Sequence, residues 1–97
     1  MGQAVKVEWS AVALADLDRF TEFLHERHPR LAAIVASEII AKAKLLEHNP
    51  DLGTPIGDSP SFRQAVLQVL RTRYVFRYRV ADDRIVMLRV LHGREQR

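Results

Sequence analysis

Cysteine is absent from the 97 residues, which excludes disulfides, thiolate metal sites and cysteine nucleophiles together. Long apolar runs are missing too. No stretch approaches 18 uncharged apolar residues, so no helical membrane span is expected. The opening Met1-Gly2-Gln3-Ala4-Val5-Lys6 lacks the apolar core of a signal peptide, and a cytoplasmic protein is the expectation. There is no internal repeat and no low-complexity tract. No H-x-x-x-H pair or carboxylate cluster suggests a metal, and neither a metal nor any other cofactor is expected. The most pointed absence is lysine, which does not occur after Lys44.

What fills that gap is arginine. Residues 63–97 hold nine arginines against Asp82, Asp83 and Glu95, whereas residues 1–62 carry more acids than bases. Arginine presents a planar fork to carboxylates and phosphates and stacks on flat rings. The C-terminal half therefore reads as a surface for something acidic: nucleic acid, a ribosome or an acidic protein. Length and an apolar fraction of 47% fit one globular domain over residues 1–97.

The pattern of the chain gives an α+β order. Val5, Val7 and Trp9 alternate with Lys6 and Glu8, which predicts a strand with one buried face. Ser10 offers an N-cap, and Ala13, Leu17, Phe20 and Leu24 then make a helical stripe. Pro29 closes that helix and opens the next. Leu31, Val35, Ile39, Ala43 and Leu46 stripe the second helix within 30–50, and Ile34 and Ile40 widen its apolar face. The short break predicts an antiparallel helical hairpin. Residues 51–61, with two glycines and two prolines, read as a loop. Three strands follow: 63–70, which also reads as helix, then 74–80 and 85–92 joined by the tight turn Ala81–Arg84. The expectation is an N-terminal strand, a helical hairpin and a three-stranded antiparallel meander, with the helices on one face of a small sheet.

Four pieces in this order, "VEWSAVALADLDRF", "LLEHNPDLGTPI", "FRQAVLQVLRTRYVFRYRV" and "DDRIVMLRVLHGR", cover nearly the whole chain. Together they resemble the ParE/RelE superfamily of bacterial toxins, the plasmid stabilisation proteins of type II toxin–antitoxin systems. The resemblance implies a cognate antitoxin protein as partner, in a homodimer or a hetero-tetramer. It also implies one of two actions: ParE-like inhibition of DNA gyrase, or RelE-like cutting of messenger RNA on the ribosome. A non-toxic relative that keeps only its antitoxin partner is a third possibility. The long helical hairpin and the L-x-x-x-P-x-L-G loop (Leu46 to Gly53) look more like the ParE branch.

Each action asks for different residues. Metal-free RNA cleavage needs a base for the 2′-hydroxyl, an acid for the leaving oxygen and cations for the charged phosphorane. Glu47 or His48 as base, His92 as acid, and Arg63, Arg77 or Arg79 as cations form the set on offer. The lysine-rich set common in the RelE branch has no counterpart here, and Gly93 and Arg94 stand after His92 where some members carry a tyrosine. The preferred reading of His92 is thus a polar strand end. A gyrase contact needs no catalytic residue, and would draw on Arg71, Arg73, Arg77, Arg79, Arg89, Arg94 and Arg97. Leu31, Ile34, Val35 and Ile40, with a sheet edge, are the expected antitoxin contact.

Overall fold

The computed structural model describes residues 5–95, with side chains through Arg94. Its order is β1 (Lys6–Trp9), α1 (Ala11–His25), α2 (Pro29–Leu45), β2 (Thr54–Ile56), β3 (Ser59–Val69), β4 (Thr72–Val80), β5 (Arg84–His92) and a short 3-10 turn at Gly93–Glu95. The two helices cover one face of a five-stranded sheet of order β1-β5-β4-β3-β2. β1 runs parallel to β5, and every other pair is antiparallel.

The expected architecture holds, with one strand more. The segment expected as a loop over 51–61 contains β2, and β3 begins at Ser59 rather than residue 63. Thr54 and Pro55 pair with Gln64 and Arg63, and Ile56 pairs with Ser59 around Gly57, whose φ of 63° closes the turn. The meander thus has four strands. Proline is tolerated in β2 because an edge strand needs only one row of ladder bonds. The ambiguous 63–70 segment is strand, since its core-side residues Ala65 and Val69 alternate with exposed Val66 and Gln68.

The helix signals act as read. The Ser10 hydroxyl accepts the Ala13 N–H at 3.0 Å, and donates to the Leu88 carbonyl at 3.3 Å. It therefore starts α1 and ties that start to β5 at once. Pro29 occupies the first turn of α2, where its missing N–H has no partner to lose. Ala13, Ile39, Ala43 and Leu46 reach zero exposure against Phe76, Tyr78, Ile85, Met87 and Val90 of the sheet. The small Ala13 and Ala43 let the helices come close, and the larger residues fill the space between layers.

Two polar clamps fasten the sheet, one to α1 and one to the loop after α2. Buried Asp16 of α1 accepts two bonds from Arg89, at 2.8 and 3.1 Å, one from the Val90 N–H at 3.0 Å and one from Arg19 at 3.1 Å. Desolvation pushes its carboxyl up, but the bonds from Arg89, Val90 and Arg19 outweigh that and hold it below its ordinary value. The second clamp is Tyr78, whose hydroxyl donates to Pro50 O and accepts from Gly53 N, both at 2.8 Å. Burial pushes its phenol up, so it stays a donor. Arg63 completes this clamp by donating to Gly53 O at 2.7 Å. A Cβ on Gly53 would sit 2.7 Å from Gln64 O and 2.8 Å from the Tyr78 hydroxyl, which is why the loop passes there as glycine.

Candidate functional site

The residues proposed for RNA cleavage do not meet. Glu47, just past α2, accepts the Val7 N–H of β1 at 2.9 Å. Val7 stands opposite Ile85 at the start of β5, while His92 ends that strand. Seven residues of strand separate the two, roughly 23 Å at about 3.3 Å per residue. Arg63 pairs with Tyr78, which pairs with Met87, so it lies two strands across and five residues back from His92. Its guanidinium faces Gly53 O and Asp51, the latter at 3.5 Å. An acid and a base for one phosphate must each come within hydrogen-bond reach of it. Glu47 and Arg63 instead secure a sheet edge and a loop.

His92 has different neighbours. It stands opposite Tyr74 on β4, with ring centroids 5.6 Å apart and edge to face. Its Nδ1 accepts the Arg94 N–H at 3.1 Å, which turns the chain into the 3-10 turn. Gly93 crosses β4 so closely that a Cβ would lie 2.8 Å from Arg73 O. Around this corner Arg71, Thr72, Arg73, His92, Gly93 and Arg94 line a shallow cup of about 450 Å³. Among the described side chains no carboxylate lines it, and Arg71, Arg73 and Arg94 are exposed without an ion pair.

Thr72 and His92 form a ridge between this cup and an apolar groove of about 770 Å³. The groove opens where the tip of the helical hairpin parts from the β3–β4 end of the sheet. Phe20, Phe23 and Leu24 of α1, Leu31 and Val35 of α2, and Val69, Leu70 and Tyr74 of the sheet line it, with Arg19 and Arg71 at its sides. Phe23 is 61% and Leu70 48% exposed, so the groove holds apolar side chains open to solvent.

The structure sorts the seven candidate arginines. Arg71, Arg73 and Arg94 share the cup. Arg77 and Arg79 lie farther along β4, half-buried, and the Arg77 Nε donates to Gln64 at 2.9 Å. Arg89 clamps Asp16, so it is committed within the fold. Beside it the β4–β5 register slips, with Arg77 opposite Arg89 and Tyr78 opposite Met87, which leaves Leu88 extra and gives the next core position to Val90. Arg97 lies outside the described residues. Of the expected antitoxin set, Leu31, Ile34 and Ile40 are exposed. Val35 is 6% exposed and joins the core while lining the floor of the groove. Ile34 and Ile40 are not among the groove's lining residues, but Phe23 and Leu70 are. Phe23 is one residue short of the α1 stripe ending in Leu24, and Leu70 sits in a turn, so periodicity assigned neither.

A family profile described as the ParE toxin of the type II toxin–antitoxin system, parDE, matches residues 7–97. The chain belongs to this family. Among curated relatives in Caulobacter vibrioides, "Toxin RelE1" is 33% identical over 88 residues, covering 91% of this chain and 92% of that protein. "Toxin RelE3" from the same organism is 31% identical, covering 94% and 97%. Two solved structures share the fold. One is a chain of the chromosomal ParDE toxin–antitoxin system of P. aeruginosa, at TM-score 0.72 and 23% identity over 92% of this chain and 96% of that one. The other is from the RelBE2 toxin–antitoxin complex of Mycobacterium tuberculosis, at TM-score 0.59 and 22% identity over 92% and 98%. The chain is therefore a type II toxin by family, and its relatives carry the names of both branches. No helix among the described residues is long and apolar enough to cross a membrane.

Proposed function

We propose that this toxin inhibits DNA gyrase by binding and is neutralised by a cognate antitoxin that covers its apolar groove. The observation that supports a binding poison is the dispersal of the general acid–base set. Glu47 holds β1, Arg63 holds the 50–53 loop, and His92 stands roughly 23 Å from Glu47 along the sheet. What the sheet end offers is the cup of Arg71, Arg73 and Arg94, a cationic surface fitted to grip an acidic partner without bond making. Antitoxin binding draws support from the toxin–antitoxin family match and from the groove, whose apolar lining needs a cover.

The experiment is plasmid supercoiling by purified gyrase with ATP, with this chain added alone and then with antitoxin. Lost supercoiling that antitoxin restores supports the reading; undisturbed gyrase rejects it. A second reading, ribosome-dependent messenger-RNA cleavage, is favoured by one feature: His92 lies within the cationic cup rather than apart from it. Cutting of ribosome-bound messenger RNA that disappears in His92→Ala would support that alternative.

A further inference from the structure

Two hairpins of this sheet turn on two residues. β2 and β3 turn between Ile56 and Ser59, and β3 and β4 between Val69 and Thr72. Both turns put their first residue in the left-handed region, at φ 63° for Gly57 and 58° for Leu70. Glycine is the ordinary occupant of such a position, because a Cβ there crowds the backbone. The β2–β3 turn obeys that rule and the β3–β4 turn breaks it. A branched apolar residue held in this conformation, and half exposed, is strained on the backbone side and poorly buried on the side-chain side. Leu70 is the only non-glycine residue with positive φ among the described residues.

The fold holds the strained tip in place. Gln68 Nε2 donates to Leu70 O at 3.1 Å, and the Val69–Thr72 pair closes the turn. The Leu70 side chain lines the groove with Phe23 and Leu31, and the next residue, Arg71, lies on both groove and cup. A left-handed first residue thus sets an exposed apolar side chain and an exposed cation side by side on one turn.

We propose that Leu70 is a specificity-determining anchor for the antitoxin, retained in a strained conformation for the contact it makes. Its counterpart is an amphipathic antitoxin segment that lays apolar side chains across Leu70, Phe23 and Leu31 and turns carboxylates toward Arg71 and the cup. Charge complementarity selects that partner: the rim carries Arg19, Arg71, Arg73 and Arg94, and no described carboxylate lines the groove or the cup. The inference rests on the antitoxin reading above, and adds to it the residue and the chemistry of the contact.

The test separates strain from contact. Wild type, Leu70→Gly, Leu70→Ala and Leu70→Met are compared for thermal midpoint alone. Each is then titrated with the purified cognate antitoxin. Leu70→Gly is expected to melt at or above the wild-type temperature, because the left-handed turn loses its strain. It is also expected to bind antitoxin about tenfold or more weakly. Leu70→Ala keeps the strain and loses the anchor, so it binds as weakly as the glycine variant and melts below it. Leu70→Met keeps the anchor and binds within about threefold of wild type. Full affinity in both Leu70→Gly and Leu70→Ala overturns the anchor while leaving the antitoxin reading intact, and a lower melting temperature in Leu70→Gly overturns the strain. No binding by wild type overturns the antitoxin reading and the anchor with it. A wild-type dimer that Leu70→Gly dissociates gives the surface to a second copy of this chain and overturns the proposal.

Discussion

Single side chains do the joining in this fold, and their contributions can be measured one at a time. Tyr78 satisfies the Gly53 N–H and the Pro50 carbonyl with one hydroxyl. Tyr78→Phe keeps the ring in the core and strands a buried N–H, so it should lower stability by about 1–3 kcal/mol, read as an earlier urea midpoint at unchanged slope. Asp16 makes a pH prediction. Its folded-state carboxyl is held below its ordinary value of 3.8. Its contribution is thus fully present above the unfolded value and is lost as pH falls through the folded one. Urea midpoints should show wild type losing more stability than Asp16→Asn between about pH 5 and about pH 2, with the two curves drawing together at the acid end. Parallel curves would mean that Arg89 and Val90 do not hold the carboxylate charged.

Among the elements, β1 is one of two short edge strands, and Glu47 is its support. Four residues pair with β5 on one side, and on the other the Val7 N–H bonds to the Glu47 carboxylate. Glu47→Gln retains an accepting oxygen and should change stability by less than about 1 kcal/mol. It should also retain toxicity in cells, whereas a general base would lose its function in the amide. Growth of cells expressing this variant without antitoxin decides between the two roles, and full growth of a well-folded Glu47→Gln would support catalysis.

The same scale shows what could be read from the chain. The helices were legible because Ser10, Pro29 and the stripe from Leu31 to Leu46 are local signals that packing then reinforced. β4 and β5 were legible from alternation and branched residues. β2 was not, because Thr54-Pro55-Ile56 is a strand only by virtue of its pairing with β3, and Pro55 and Gly57 read as loop. Tyr74, Phe76 and Tyr78 share one face of β4 by period two, and all three lie in the core. The duties of Glu47, Arg63 and Arg89 were not legible, because each depends on a partner distant in sequence: Val7, Gly53 and Asp16. Nor was the left-handed Leu70, since nothing in "VLRT" distinguishes its turn from an ordinary strand end.

At the level of the whole molecule, one end of the sheet collects what the fold does not use for itself. The helical hairpin parts from β3 and β4 there, leaving the groove. The β3–β4 turn and the end of β5 bring Arg71, Arg73 and Arg94 around His92. The other end is closed by Glu47, Tyr78 and Arg63. Under the proposed function the open end serves partners, and His92 takes no part in bond making. The most direct test is gyrase-mediated DNA cleavage with purified gyrase, ATP and supercoiled plasmid, comparing wild type with His92→Ala. Accumulated cleaved plasmid with both proteins is the predicted result. Intact plasmid with wild type, together with messenger-RNA cutting on ribosomes that His92→Ala abolishes, would contradict it.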